Sequence, residues 1–286
     1  MAEAPRPSAA NGARTDRIEL RNGLIFHIRS HGPADGPPVV FLHGVLAAAI
    51  SYDYLCQSLA RGRRVIAIDQ RGHGLTDHAA DYAWERWVED IALIVDALDL
   101  GPVDVVGHSM GAKHAARFAA LHPQQVRRLA LLEAGFGEPN APNQAEYWGR
   151  VARLFPPEGF ESLSEYVNVA VEQFPRATRS ILEESTGGFV CGDDGRWRWP
   201  LEADVDGLAK SRTEPPPEQE GSLRTLVTCP TLVARAEFSE LFTGDGYVRV
   251  AEEYQAGRHQ LLRGTGHMIM WEGVGDTVAT LQDFLA

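Results

Sequence analysis

Gly107-His108-Ser109-Met110-Gly111 is the stretch of sequence that decides how this chain folds. It follows an apolar, β-branched run at 103–106, which predicts a strand, and it precedes an alanine-rich run at 112–120, which predicts a helix. A Gly-x-Ser-x-Gly between strand and helix predicts a sharp turn that presents the serine hydroxyl, because glycines let neighbouring chain pass close by. The helix that begins there points its N–H groups and its dipole at any negative charge that forms near Ser109.

Strands and helices alternate on both sides of this turn. Apolar runs at 39–42, 64–68 and 126–132 predict strands, and helical spacing of apolar residues at 52–60 and 84–98 predicts the helices between them. The alternation predicts an α/β fold with a mostly parallel sheet covered by helices on both faces. Further predicted elements are a hairpin over 17–30, strands at 231–234 and 259–262, and helices at 247–255 and 274–285.

The alternation stops between residues 138 and 222. Short amphipathic stretches replace it, and a segment of this length is too long to be a simple loop. It follows the sixth strand at the carboxyl edge of the sheet, where open α/β sheets bind ligands. We therefore predict a helical cap at 138–222 over an α/β core built from 15–137 and 223–286. Residues 1–14, rich in Ala, Pro, Ser, Asn and Gly, are expected to form a flexible tail.

Composition excludes several classes of function. The 286 residues have a formal net charge of −12, so a nucleic-acid partner is not expected. No apolar run approaches the roughly 18 residues needed to span a membrane. Three widely spaced cysteines predict a reducing, cytoplasmic setting, and the lack of paired Cys-x-x-Cys or His-Glu-x-x-His predicts no metal or cofactor. We expect a monomer or homodimer with a small-molecule substrate.

Four motifs, in this chain order, resemble the α/β-hydrolase fold family over nearly the whole chain from Arg17 onward. They are His43-Gly44, the segment Asp69-Gln70-Arg71-Gly72-His73-Gly74-Leu75-Thr76-Asp77, the Ser109 motif, and Gly264-Thr265-Gly266-His267. The segment at 193–199 also looks like the small-molecule branch of that family, which includes carbon–carbon bond hydrolases of aromatic degradation, amidohydrolases and lactonases. The resemblance implies an α/β-hydrolase fold and a serine hydrolase with an acyl-enzyme intermediate.

The resemblance assigns the nucleophile to Ser109 and the general base to His267. Serine is a poor nucleophile until a base takes its proton, and His267 lies in a loop between the last predicted strand and helix. The backbone N–H groups of Val45 and Met110 are expected to form the oxyanion hole, with their side chains shaping the pocket floor.

Three further residues, His43, Gly44 and His108, belong to the expected site. His43 is expected to orient the oxyanion loop through a hydrogen bond beside Gly44, and His108 is expected to be a structural neighbour of the nucleophile.

The triad acid is where the sequence leaves two candidates. Relatives have Arg-Gly-x-x-Ser-Asp after the strand at 231–234, and this chain has Arg235-Ala236-Glu237-Phe238-Ser239-Glu240, so Glu240 matches the usual acid. Glu133, at the end of the strand after the nucleophile helix, looks like the position used by haloalkane dehalogenases and zearalenone lactonases, and Gly135 and Gly137 would let its loop turn towards His267. We favour Glu240, because the order Ser, acid, His is the commonest in the family.

Two other classes of function remain open at this point. A lyase, cyclase or cofactor-free oxygenase can keep the same serine and histidine, and a ligand-binding receptor can keep the same fold. Haloalkane dehalogenases and epoxide hydrolases are excluded, because they need Asp where this chain has Ser109.

Overall fold

A computed structural model describes residues 12–134, 138–139, 141–200 and 214–286. Its strands are β1 (Arg14–Glu19), β2 (Ile25–His31), β3 (Pro38–Leu42), β4 (Arg64–Ile68), β5 (Val103–His108), β6 (Val126–Leu132), β7 (Glu138–Pro139), β8 (Val190–Cys191), β9 (Trp197–Arg198), β10 (Thr231–Ala236), β11 (Phe242–Thr243) and β12 (Gly257–Leu262). Its α-helices are α1 (Asp53–Leu59), α2 (Trp84–Ala97), α3 (Met110–Leu121), α4 (Ala141–Ala152), α5 (Leu163–Gln173), α6 (Arg179–Ser185), α7 (Pro217–Thr225), α8 (Gly246–Glu252) and α9 (Val274–Phe284).

Eight strands form one sheet in the order β1-β2-β4-β3-β5-β6-β10-β12. The first two strands pair antiparallel with each other, and β2 pairs antiparallel with β4. All pairs from β4 to β12 across the sheet are parallel. This confirms the predicted α/β-hydrolase fold class with its mostly parallel sheet.

Helices cover both faces of the sheet. In β3, Val39 and Phe41 belong to one apolar cluster, while Val40 and Leu42 belong to the other, because successive side chains of a strand point to opposite faces. The first face packs against α1 and α9, and the second against α2, α3 and α8. The helices therefore bury both faces of the central strands.

The chain between β6 and β10 supplies α4, α5 and α6 together with the short hairpin of β8 and β9. Apolar side chains of these helices join the same cluster as Met268, Met270 and Trp271 from the loop after β12. This inserted segment thus packs over the carboxyl edge of the sheet.

Several predicted boundaries differ from those in the structure. Arg14, predicted to be in the tail, is the first residue of β1, while residues 1–11 lie outside the described part of the chain. The sequence at 213–220, which is rich in proline and glutamate, leads into α7. This helix begins at Pro217, and proline is well tolerated in the first turn of a helix. Gly135 and Gly137, expected to turn the loop after β6, also lie outside the described residues.

Arg71 fastens the loop after β4 to helix α2. Its guanidinium donates to both carboxylate oxygens of buried Asp90, at 2.6 and 2.7 Å, and to the carbonyl oxygens of Asp81 and Arg86. Burial raises the pKa of Asp90 to about 6, although the hydrogen bonds from Arg71 act in the opposite direction. The charge on Asp90 is therefore tolerable only with its partner in place.

Replacing Arg71 with Met should lower the free energy of unfolding by about 3–5 kcal/mol at pH 8, since a buried carboxylate is left without its cation. The loss should be smaller at pH 5, where Asp90 can take up a proton. The matched control is Arg86→Met, which breaks exposed ion pairs to Asp81 and Glu89 and should cost less than about 1 kcal/mol. Urea unfolding at both pH values measures these differences, and equal losses in the two variants would contradict the assignment.

Candidate active site

Ser109 occupies a strained turn between β5 and α3. Its backbone has φ 52° and ψ −116°, a region that residues other than glycine rarely adopt. A Cβ on Gly107 would lie 2.4 Å from the carbonyl oxygen of Gly111, and a Cβ on Gly111 would lie 2.3 Å from that of Leu42. Only glycine fits at these two positions, so the flanking glycines are what allow the serine to project from the turn.

His267 is held by Glu133 at the end of β6. The distance from His267 Nδ1 to Glu133 Oε2 is 3.0 Å, and both side chains are buried. The backbone N–H of Ala236 donates to Glu133 Oε1 at 2.7 Å, and the hydroxyl of Ser239 donates to Oε2 at 2.7 Å. Glu133 is therefore fixed as a carboxylate acceptor, and its own φ of 50° bends the chain out of β6.

The preference for Glu240 as the partner of His267 is wrong. The Glu240 carboxylate forms an ion pair with Arg150 of α4, and no described bond joins it to His267. The physical reason lies in the loop after β10. There, the N–H of Ala236 and the hydroxyl of Ser239 support Glu133, which fills the space against the imidazole. The sequence motif that indicated Glu240 thus supplies hydrogen bonds to the other candidate.

A chain of hydrogen bonds joins the loop after β3 to the loop of His267. The N–H of Gly44 donates to the hydroxyl of Tyr52 at 3.2 Å, and that hydroxyl lies 2.6 Å from His108 Nδ1. His108 Nε2 lies 2.9 Å from the carbonyl oxygen of His267. Burial, together with nearby His267, keeps the pKa of His108 well below its ordinary value. A neutral His108 then donates from Nε2 and accepts at Nδ1, so it positions both loops.

His43 holds the loop after β3 from its other side. Its Nδ1 lies 2.7 Å from the carbonyl oxygen of Gly44, and its Nε2 accepts the N–H of Gln70 at 2.9 Å. Burial lowers the pKa of His43, which favours the neutral ring that this pattern requires. Buried Asp69 adds a carboxylate that accepts the N–H of Ala49 at 2.6 Å, at the far end of the same loop.

The two expected oxyanion donors lie on either side of Ser109 in the fold. Met110 is the first residue of α3, so its N–H lacks a partner within the helix, and Val45 lines the cavity next to Gly44. The expectation for the side chain of Met110 is wrong. It packs with Tyr82 and Trp87 on the far side of the turn instead of shaping the pocket floor, because the helix turns it away from the cavity.

Glu272 lies beneath the loop that holds His267. Its side chain is 1% exposed, and a Cβ on Gly266 would come within 1.9 Å of its Oε2. Burial and the neighbouring carboxylate of Glu240 raise the pKa of Glu272 to about 7, although Arg176, whose Nη1 lies 3.6 Å away, opposes this. Glu272 could not be predicted from the sequence, because nothing in a single Trp-Glu-Gly triplet marks a buried acid.

One cavity contains both Ser109 and His267 in its lining. It has room for the centres of water molecules in only about 30 Å³, so it is a narrow slot. Its walls come from the core and from the inserted segment. The described residues that line it are Gly44, Val45, Leu46, Ala47, Ser51, Tyr52, His108, Ser109, Tyr147, Trp148, Val151, Phe155, Tyr166, Trp199, His267, Met268, Met270 and Trp271.

The described part of the chain offers no group of three or more His, Cys, Asp or Glu side chains arranged to hold a metal ion. Within those same residues, no helix combines the length and the apolar character that a membrane span requires.

Residues 37–274 match the family described as alpha/beta hydrolase fold. The chain is 26% identical to the 2-hydroxymuconate semialdehyde hydrolase of Pseudomonas sp. (strain CF600), over 99% of this chain and 96% of that protein. It is 31% identical to the 2-hydroxy-6-oxo-2,4-heptadienoate hydrolase of Pseudomonas putida, over 70% of this chain and 73% of that protein. The crystal structure of E-2-(acetamidomethylene)succinate hydrolase superposes with a TM-score of 0.80 at 22% identity, covering 96% of this chain and 99% of that chain.

The raised pKa of Glu272 predicts a pH-dependent stability. The folded protein binds a proton at Glu272 more tightly than the unfolded chain does, so the free energy of unfolding should fall as pH rises from about 4.5 to about 7. Glu272→Gln should remove that fall. The difference between the free energy of unfolding of this variant and that of wild type should therefore increase by up to about 3 kcal/mol as the pH rises from 4.5 to 8. Exposed Glu161 provides the control, since Glu161→Gln should leave the pH dependence unchanged. Urea unfolding at several pH values tests this, and parallel curves for wild type and Glu272→Gln would refute it.

Proposed function

This chain belongs to the α/β hydrolase fold family, and on that premise we propose that it hydrolyses a small acyl compound with Ser109, His267 and Glu133 as its catalytic triad. The observation that supports this most strongly is the fixed contact between Glu133 and Nδ1 of His267, in a cavity that also contains Ser109. The bond cleaved is an ester, lactone, amide or activated carbon–carbon bond. The relatives named above are hydrolases of small organic compounds, which fits this class of substrate.

The chemistry begins with attack of Ser109 Oγ on the acyl carbon, while Nε2 of His267 takes the hydroxyl proton. Glu133 accepts the Nδ1 proton in a hydrogen bond, so it fixes the tautomer and stabilises the imidazolium that forms. The developing oxyanion accepts hydrogen bonds from the backbone N–H groups of Val45 and Met110. His267 then returns its proton to the leaving group, and the acyl-enzyme forms.

Water completes the cycle by the same steps. His267 takes a proton from the water molecule, the hydroxide attacks the acyl carbon, and Ser109 leaves with the proton returned by the imidazolium. The products are a carboxylic acid and the protonated leaving group. The inserted segment, residues 138–222, which we propose acts as a cap, supplies the roof that excludes bulk water from the acyl-enzyme.

The remaining features of the protein's setting are part of the same proposal. Cys56 and Cys229 are buried thiols and Cys191 is an exposed one, and none of the three forms a disulfide, which fits a reducing cytoplasmic compartment. A small-molecule substrate, rather than a nucleic acid, fits the net charge of −12. We propose that the enzyme works as a monomer or homodimer without a cofactor.

Ser109→Ala should abolish hydrolysis of p-nitrophenyl acetate while leaving the protein folded, because the side chain acts in the chemical step. A fluorophosphonate probe should label the wild type at Ser109, as mass spectrometry of the peptides would detect. Ser51 lines the same cavity and provides the matched control, since Ser51→Ala should still be labelled. If the wild type is neither labelled nor active on any ester, the serine serves a non-hydrolytic reaction or a binding function.

The two glutamates are distinguished by a matched pair of substitutions. Glu133→Gln should lower kcat by about 10²–10⁴, because the amide cannot stabilise the imidazolium as a carboxylate does. Glu240→Gln should keep kcat within about threefold, since this residue contacts Arg150 and not the base. Circular dichroism and thermal unfolding establish that both variants are folded. A large loss in Glu240→Gln with a near-normal Glu133→Gln would return the acid to the position that the sequence favours.

A further inference from the structure

The described residues that line the cavity beside Ser109 have no formally charged side chain. No Asp, Glu, Lys or Arg is among the described residues that line it, and seven of those residues are Phe, Tyr or Trp. A carboxylate that entered would lose its water without meeting a cation, which is costly in a site of this kind. The wall therefore selects against anionic compounds.

The arginines nearest to the catalytic loop already have partners. Arg150 pairs with Glu240 and donates to the carbonyl oxygen of Gln173 at 3.0 Å. Arg176 pairs with Glu272 and stacks over the ring of Phe238, 4.5 Å from its centroid. Each cation is matched by a carboxylate, so neither provides the positive field that an anionic substrate would need.

Two tryptophans that line the cavity have indole N–H groups with no hydrogen-bond acceptor among the described residues. Nε1 of Trp271 and Nε1 of Trp199 are both buried, and within the described part of the structure neither one has a partner. An unpaired buried donor lowers the stability of the fold, so native proteins rarely keep one without a use. A ligand with an uncharged oxygen acceptor would pair such a donor on binding.

The shape of the slot adds a third constraint. It is narrow, and the rings of Tyr147, Trp148, Tyr166 and Trp199 contribute to its walls together with Trp271. Flat aromatic or conjugated groups fit between such rings and stack on them favourably. Branched or globular acyl groups would have to widen the slot.

We propose that the site takes an uncharged, planar acyl compound, aromatic or conjugated, with a carbonyl or ether oxygen that accepts a hydrogen bond from Trp271 or Trp199. This rests on the proposed serine hydrolase function and names its substrate class. The named substrates of two of the similar proteins, a heptadienoate and a succinate, are carboxylates, so this chain differs from them in the charge that it accepts.

Three p-nitrophenyl benzoates of similar size test the substrate class. They have a 4-acetyl group (neutral, with an acceptor), a 4-isopropyl group (neutral, without one) or a 4-carboxylate (anionic). Each kcat/KM is divided by the rate of alkaline hydrolysis of the same ester, which removes the electronic effect of the substituent. We expect the 4-acetyl ester to exceed the 4-isopropyl ester by about tenfold and the 4-carboxylate by about a hundredfold.

Trp271→Phe tests the indole donor directly. It should reduce the preference for the 4-acetyl over the 4-isopropyl ester to about twofold or less. Trp197→Phe is the matched control, because Trp197 packs on the core outside the cavity lining and its substitution should preserve the preference. A preference that persists in Trp271→Phe would assign it to another group, and a double variant with Trp199→Phe would then decide whether either indole contributes. Persistence in the double variant overturns the proposed hydrogen bond.

The outcomes separate this inference from the proposed function. If the 4-carboxylate ester is cleaved as well as the 4-acetyl ester while Ser109 is labelled by the fluorophosphonate, the substrate class is wrong and the hydrolase function stands. If none of the three esters is cleaved but Ser109 is labelled and p-nitrophenyl acetate is hydrolysed, the planar class is likewise wrong. If Ser109 resists the probe and no ester is cleaved, the hydrolase function fails and this inference fails with it.

Discussion

The contact between Glu133 and His267 is the constraint on which the rest of the site depends. A buried carboxylate is stable only when its oxygens are paired, and Glu133 meets that need with a backbone N–H from β10, a hydroxyl from the loop that follows, and the imidazole itself. These bonds tie the ends of β6 and β10 to the loop after β12. His267 therefore cannot move without disturbing its hydrogen bond to Glu133, whose other hydrogen bonds join it to β10 and to the loop that follows.

A second set of contacts sets the distance between the loop after β3, which contains Gly44 and Val45, and the loop after β12, which contains His267. Tyr52 and His108 bridge the two loops with hydrogen bonds that require a neutral imidazole, and burial keeps it neutral. Electrostatic stabilisation of an oxyanion depends on donors that are already in place before charge develops. The bridge thus holds the loop of the proposed oxyanion donor Val45 at a fixed position relative to His267, the proposed base.

Most of the fold and part of the site could be predicted from the sequence, for reasons that differ between residues. Ser109 can be identified because turn geometry restricts which residues can surround it, whereas His267 follows from the resemblance of its motif to that of the family. The strand at 126–132 can be predicted because its apolar run reflects burial. The choice between Glu133 and Glu240 depends on which side chain is supported by neighbours distant in sequence, such as Ser239. Glu272 and the unpaired indole of Trp271 are likewise products of packing, which spacing along one chain does not encode.

The position of Glu133 has a consequence for how such a site can change over evolutionary time. Ser109 and Glu133 follow neighbouring strands of the sheet, β5 and β6, and only the base comes from the far end of the chain. The loop after β10 therefore does not provide the proposed triad acid, and its Glu240 pairs with Arg150 of the inserted helix α4. A substitution that disrupts this ion pair would therefore alter how the inserted helix is held without removing any residue of the proposed triad.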